Sequence, residues 1–359
     1  MNPDPEQRIK RIMSGEACGV GPALVRSVLA IAEPFYSAAA RLRNHSFDSG
    51  RKTVKSLPRP VISIGNVTTG GTGKTPAVRW LAERLRDEGR HVAILSRGYK
   101  SVDAGLGDEL TMLDRALNAP GKPAVLVRAN PDRFIAGTRL LEQAPETNVF
   151  ILDDGFQHRR LARNLDIVLI NALEPFGFDH VLPRGMLREP LTSLRRADAI
   201  VVTHCDRVSA EAIGSVESTI RRYHPGVPLY RTHHATSAIL EGAERFPIAE
   251  LDAKPFFAFC GIGSPSTFDA QLAGFAQIYR GHHWFADHHH YTPADLKFLR
   301  RAAAEAGAER LVTTEKDWVK IEPLQSELSL PVCRVEIRLQ FEDAGEQKLM
   351  DQVRAAMAS

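Results

Sequence analysis

The stretch Pro60-Val-Ile-Ser-Ile-Gly-Asn-Val-Thr-Thr-Gly-Gly-Thr-Gly-Lys-Thr-Pro76 leaves this chain few choices of fold. Its β-branched run, Val61-Ile62-Ser63-Ile64, predicts a short buried strand. Val78, Leu81, Ala82 and Leu85 then recur at helical spacing, with Arg79, Glu83, Arg84 and Arg86 on the other face. Between the two lies Gly70-Gly-Thr-Gly-Lys-Thr75, a glycine-rich turn that feeds a helix N-terminus. Such a turn lets backbone N–H groups converge on a phosphate, and the helix dipole favours the anion. Lys74 is expected to reach the β- and γ-phosphates, and Thr75 to offer its hydroxyl to Mg²⁺. Thr68, Thr69, Gly70, Gly71, Thr72, Gly73, Lys74 and Thr75 are therefore the expected nucleotide-binding residues.

A strand–loop–helix of this kind belongs in a parallel sheet, and further strands are legible downstream. His91-Val-Ala-Ile-Leu95 leads into Ser96-Arg-Gly-Tyr-Lys100, and Asp166-Ile-Val-Leu-Ile170 and Ala199-Ile-Val-Val-Thr203 follow. Strands alternating with helical segments predict a doubly wound α/β sheet, with ligands bound at the carboxyl ends of the strands. Val149-Phe-Ile-Leu-Asp-Asp154 fits this frame best, as a buried strand with two carboxylates at its tip. That is the arrangement that holds or orients Mg²⁺ in phosphoryl transfer. Between the last two strands, Arg184, Arg188, Arg195 and Arg196 are candidates for an arginine that neutralises the transferred group, and residue chemistry does not choose among them.

The 359 residues predict two domains, and a net charge of +3 gives no bulk argument for a nucleic-acid partner; none is expected. Four scattered cysteines lack the spacing of a zinc site or a disulfide framework. From about residue 228 the pattern restarts: Pro255-Phe-Phe-Ala-Phe-Cys-Gly-Ile-Gly263 and Arg310-Leu-Val-Thr-Thr-Glu-Lys-Asp317 predict a smaller α/β unit. Its histidine run, His288-His-His290, reads as a solvated loop or a metal site; three adjacent side chains cannot share one face.

Residues 19–43 are apolar and small, yet Arg26, Glu33 and Pro34 interrupt them. Two short helices are expected, with Leu24, Val25, Val28, Leu29, Ile31 and Phe35 either facing a membrane surface or packed on the protein's own core.

Taken together the motifs resemble those of the tetraacyldisaccharide 4′-kinase family of lipid A biosynthesis. The resemblance rests on Gly65–Pro76, Ser96–Tyr99, Gly107-Asp-Glu109, Asp153-Asp-Gly-Phe-Gln-His158, Leu187-Arg-Glu-Pro-Leu191, Phe285-Ala-Asp-His288 and Thr314-Glu-Lys-Asp317. It implies transfer of the ATP γ-phosphate to the 4′-hydroxyl of an acylated glucosamine disaccharide 1-phosphate. Asp108 is then the base that accepts the hydroxyl proton, His288 its partner from the other domain, and Arg188 the stabiliser of phosphoryl charge, alongside Lys74. Thr75, Asp154 and Glu189 are the implied Mg²⁺ ligands. The resemblance also implies peripheral attachment to the cytoplasmic face of the bacterial inner membrane.

The expected layout is a membrane-associated segment at 1–45, a P-loop kinase domain at 46–228 and a smaller α/β domain at 229–359. The first competing reading is a P-loop ATPase switch or metallochaperone. Thr69 counts against it, because dimeric ATPases with this loop place a lysine there. The second is a soluble small-molecule kinase, which would not partition with membranes.

Overall fold

The chain divides into two units, and the computed structural model describes residues 5–98, 107–118, 121–242, 244–263 and 265–358, with backbone alone for residues 5–7 and Asp108. The first unit comprises Met1–Leu106, Asp114–His233 and Leu339–Ser359; the second comprises Gly107–Leu113 and His234–Arg338. Up to the first sheet's centre the elements are α1 (Pro5–Ser14), α2 (Val20–Asp48), β1 (Val61–Asn66), α3 (Lys74–Asp87) and β2 (Val92–Ser96). Next come α4 (Asp108–Leu117), β3 (Leu126–Ala129), α5 (Arg133–Gln143), β4 (Val149–Asp153), β5 (Leu165–Asn171), β6 (Ala199–Thr203) and α6 (Ala210–Tyr223). The remainder is β7 (Leu229–Glu241), β8 (Glu244–Pro247), β9 (Phe256–Cys260), α7 (Pro265–Leu272), β10 (Tyr279–Trp284) and α8 (Pro293–Glu305). The chain closes with β11 (Arg310–Thr314), α9 (Glu315–Ile321), β12 (Val332–Phe341) and α10 (Gly345–Ala358).

In the first unit the strand order is β7-β6-β5-β1-β4-β2-β3, all parallel. The continuous apolar runs of β1, β2, β4 and β6 follow from this, because a parallel sheet is covered on both faces. Helix α3 packs on β1, β2 and β4, while Ala136 and Leu140 of α5 join Ala93, Leu95, Phe150 and Leu152 in one buried cluster. The chain leaves β1 toward β2 and β3, then returns to build β5 and β6 on its other side. That reversal places the end of β1 at the switch point where α/β sheets bind ligands.

In the second unit β10, β9, β11 and β12 run parallel, and the last four residues of β7 pair antiparallel with β8. The expected assignment of all of 229–359 to this unit is corrected by the C-terminus. Glu346 of α10 accepts from Trp80 Nε1 at 2.8 Å and Arg84 Nε at 2.5 Å, and Arg354 pairs with Glu88 at 2.6 Å. With Leu349, Met350 and Val353 buried, α10 therefore packs against α3 in the first unit. The segment expected to stand apart at 1–45 belongs to the first unit as well.

The two short helices expected near residues 19–43 are one helix, α2, of 29 residues. Pro34 costs an interior helix about 3 kcal/mol and one hydrogen bond. Side-chain anchors on both sides of it offset that cost. Arg26 donates to the carbonyls of Ile12 and Ala17, and Glu33, Arg43 and Asn44 bond residues of the first unit. Arg26, Glu33 and Arg43 thus lie on the protein side. Leu24, Val28, Ile31, Phe35 and Leu42 form the opposite stripe, with Leu24 67% and Phe35 74% exposed, whereas Leu29 is half-buried.

Candidate functional site

The loop after β1 owes its shape to side chains at the tips of adjacent strands. Asn66 Nδ2, at the end of β1, donates to Thr72 Oγ1 at 2.8 Å. Asn171 Nδ2, ending β5, donates to the Gly71 carbonyl at 3.1 Å, and the Thr203 hydroxyl, ending β6, donates to the Thr72 carbonyl at 3.2 Å. The Thr69 N–H donates to the Met186 carbonyl at 2.8 Å, and Thr68 bridges Leu187. Gly70 and Gly73 sit at φ of +113° and +81°, a region L side chains rarely adopt, so the two turns that aim the loop depend on glycine. Gly73 caps α3, whose first residues are Lys74 and the half-buried Thr75. The result is a preformed turn of backbone amides at a helix N-terminus, suited to a polyphosphate.

Beside it, Asp154 follows β4 with a φ of +52°, which asparagine and aspartate tolerate better than other L residues. Arg188 Nη1 donates to both Asp154 oxygens at 2.9 Å, and Lys74 Nζ lies 3.7 Å from Oδ1. Burial pushes the Asp154 carboxyl up, but Lys74 and Arg188 outweigh it and hold the group below its usual range. The neighbouring Asp153 accepts from Ser96 Oγ, at the tip of β2, at 2.9 Å. The rest of this motif serves as support. Phe156 is core, Gln157 donates to the Asn66 carbonyl at 2.9 Å, and His158 Nδ1 lies 3.2 Å from Arg133. Burial, with Arg133 and Arg163 nearby, pushes the His158 pKa down to about 4, so its imidazole stays neutral.

Of the four candidate arginines, Arg188 is the one paired with Asp154. Arg184 donates to the Met13 carbonyl at 2.8 Å, Arg195 to the Tyr223 carbonyl at 3.3 Å, and Arg196 to Glu189 at 2.9 Å. The Arg188 N–H donates to the Val67 carbonyl at 2.8 Å, which lays its segment against the phosphate loop.

Two expected roles meet a different setting. Glu189, expected as a metal ligand, is fully buried, with Oε1 held by Arg43 at 2.5 Å and Oε2 by Asn44 at 2.8 Å and Arg196 at 2.9 Å. Two guanidiniums and an amide occupy a carboxylate that a cation would need free. His288 lies in the second unit at a φ of +57°, its side chain 63% exposed and its N–H bonded to Asp287 Oδ1 and the Gly261 carbonyl. Asp108 opens α4, and its side chain lies outside the described residues. Its backbone segment Gly107–Leu113 groups with the second unit, which also holds His288.

Among the described residues no three His, Cys, Asp or Glu side chains gather as a metal cage, the histidine run included. Hard oxygen donors are nevertheless present at Thr75 and at Asp154, which would have to give up its contact with Arg188 to take a cation. One hydroxyl and one carboxylate fit Mg²⁺, which keeps waters and substrate phosphates in its shell and does not demand an all-protein site.

Asn171 and Thr203 escaped sequence reasoning as parts of the loop. Their signal is a lone polar residue closing an apolar strand.

Comparison with known proteins gives a consistent picture. Residues 25–357 match the family model described as tetraacyldisaccharide-1-P 4′-kinase. A tetraacyldisaccharide 4′-kinase of Geobacter sulfurreducens is 40% identical, over 87% of this chain and 89% of its own. One from Syntrophus aciditrophicus is 37% identical, over 89% and 91%. Among solved structures, LpxK from Aquifex aeolicus in complex with ATP superposes with a TM-score of 0.72 at 30% identity, covering 93% of this chain and 99% of that one.

Proposed function

This chain belongs to the tetraacyldisaccharide 4′-kinase family of lipid A biosynthesis, and on that premise we propose how its own residues carry out the transfer. It is a P-loop kinase acting on a hydroxyl acceptor, and the γ-phosphoryl group of ATP goes to the 4′-hydroxyl of a tetraacyldisaccharide 1-phosphate. The observation that supports this reading most is the convergence of Lys74 and Arg188 on Asp154 beside a preformed phosphate loop. The ATP held by the Aquifex relative agrees with it.

The loop amides and Lys74 bind and orient the triphosphate, so that positioning and charge neutralisation lower the barrier. Thr75 and Asp154 would hold Mg²⁺, which would offset charge on the phosphate oxygens. Arg188, released from Asp154 toward the nucleotide, stabilises charge on the transferred group. Asp108 accepts the proton of the sugar hydroxyl and His288 assists it, since a carboxylate is a weak base near neutrality and an imidazole titrates there. The test is direct: labelled ATP and the tetraacylated disaccharide 1-phosphate should give a doubly phosphorylated lipid. Absence of label in that lipid, with ATP bound, would sink the reading.

Helix α2 anchors the protein peripherally on the inner membrane. It is long and apolar enough to cross a bilayer, but its charged face is bonded to the first unit along its length. Only the stripe opposite is available to lipid, which describes a helix lying in the interface. Leu24, Val28 and Ile31 each contribute roughly 1.5–3 kcal/mol if buried in lipid. Replacing all three with Ser should lower liposome binding by about 100-fold or more and raise KM for the lipid more than for ATP. An unchanged pellet fraction in co-sedimentation, or a collapsed melting temperature, would remove the anchor.

A further inference from the structure

The segment that carries Arg188 is tied at several points to one face of α2. Glu33 Oε1 accepts from the Val181 N–H at 2.8 Å, and its Oε2 pairs with His180 Nδ1 at 2.9 Å. Tyr36 donates its hydroxyl to the carbonyl of Arg188 itself at 3.3 Å. Two turns on, Arg43 and Asn44 hold the two oxygens of Glu189. Residues three, four and seven apart share a helix face, so Glu33, Tyr36, Arg43 and Asn44 form one polar stripe beside the buried Ala40.

Glu189 has 0% side-chain exposure. Burying a carboxylate is costly unless it is paired and hydrogen-bonded, and the best-attested return for such a group is a defined geometry. Here the geometry concerns its neighbour. Residue 189 is locked to α2, and the Arg188 carbonyl is bonded to Tyr36. The guanidinium of Arg188 extends from that pinned backbone to within 2.9 Å of both Asp154 oxygens.

We propose that Tyr36, Arg43, Asn44 and Glu189 are positioning residues that set Arg188 for phosphoryl transfer, so that α2 serves the reaction as well as the surface. The proposal rests on the role given to Arg188 above. It assigns Glu189 to α2 in place of the metal.

The experiment uses the full chain in mixed micelles, so that access to lipid does not depend on α2 docking, and follows kcat, KM for ATP, Mg²⁺ half-saturation and melting temperature. Arg43→Ala should lower kcat about 10- to 100-fold, the range expected when a reacting group is misplaced by an ångström, with KM for ATP within about twofold. Arg43→Lys should recover part of it. Tyr36→Phe removes one hydroxyl from a partly exposed residue, so it should fold normally and lower kcat about twofold to fivefold. Glu189→Gln should lower kcat with Mg²⁺ half-saturation unchanged. Wild-type kcat in both Arg43→Ala and Tyr36→Phe would overturn the proposal; should Arg43→Ala not fold, Tyr36→Phe decides alone. A Glu189→Gln defect repaired by excess Mg²⁺ would make Glu189 a metal ligand and overturn it too. Failure of the underlying kinase reading looks different, because the wild type itself would then transfer nothing.

Discussion

Arg188→Ala is expected to lower kcat by about 1,000-fold or more while KM for ATP changes little. The ground-state phosphates are held by the loop amides and Lys74, which this substitution leaves alone. The arginine matters as charge shifts onto the leaving and transferred oxygens, where a planar donor is worth more than in the ground state. Arg188→Lys should recover little, since a lysine cannot reproduce the planar fork that serves two oxygens at once. Single-turnover measurements at saturating ATP separate this from slow product release. A kcat within tenfold of wild type would return the arginine question to Arg184 and its neighbours.

Lys74→Ala should be as severe and differ in kind. Removing the one side-chain cation of the phosphate loop weakens nucleotide binding as well as the chemical step, so kcat/KM for ATP should fall by about 1,000-fold or more. Asp154 would lose one of the three charges, Lys74, Arg188 and Arg133, that outweigh its burial, and its carboxyl should move back up toward the usual range. Binding of a fluorescent ATP analogue, measured beside turnover, checks both parts. Near-normal turnover would mean that the loop does not hold the reacting phosphates.

Much of this was legible in the residues. The strands at 61–64, 149–152, 166–170, 199–203 and 256–260 were evident because a covered parallel strand is apolar over most of its length. In contrast β10, Tyr-Arg-Gly-His-His-Trp, has no such run, and β3 offers only Leu126 and Val127 before Arg128. The phosphate loop was legible as local chemistry. Residue chemistry alone could not choose among four arginines, because the choice depends on the pairing of Arg188 with Asp154 across 34 residues of sequence. Glu189 misled for the same reason: its partners Arg43 and Asn44 stand 146 and 145 residues upstream. Pro34 invited a break in α2 because sequence carries its cost and not the side-chain anchors that offset it. The C-terminal helix was lost to the wrong unit because Glu346 meets Trp80 266 residues away.

The strand-tip hydrogen bonds to Gly71 and Thr72 have a consequence for how the protein treats spent nucleotide. A loop shaped by Asn66, Asn171 and Thr203 does not need the γ-phosphate to become ordered. Molecular switches work in the opposite way, since their loops are held by that phosphate and collapse on its loss. Here ADP would meet nearly the same backbone cradle as ATP, and discrimination falls to the charges at Lys74, Asp154 and Arg188. Product inhibition by ADP, competitive with ATP, is the behaviour that such a cradle entails.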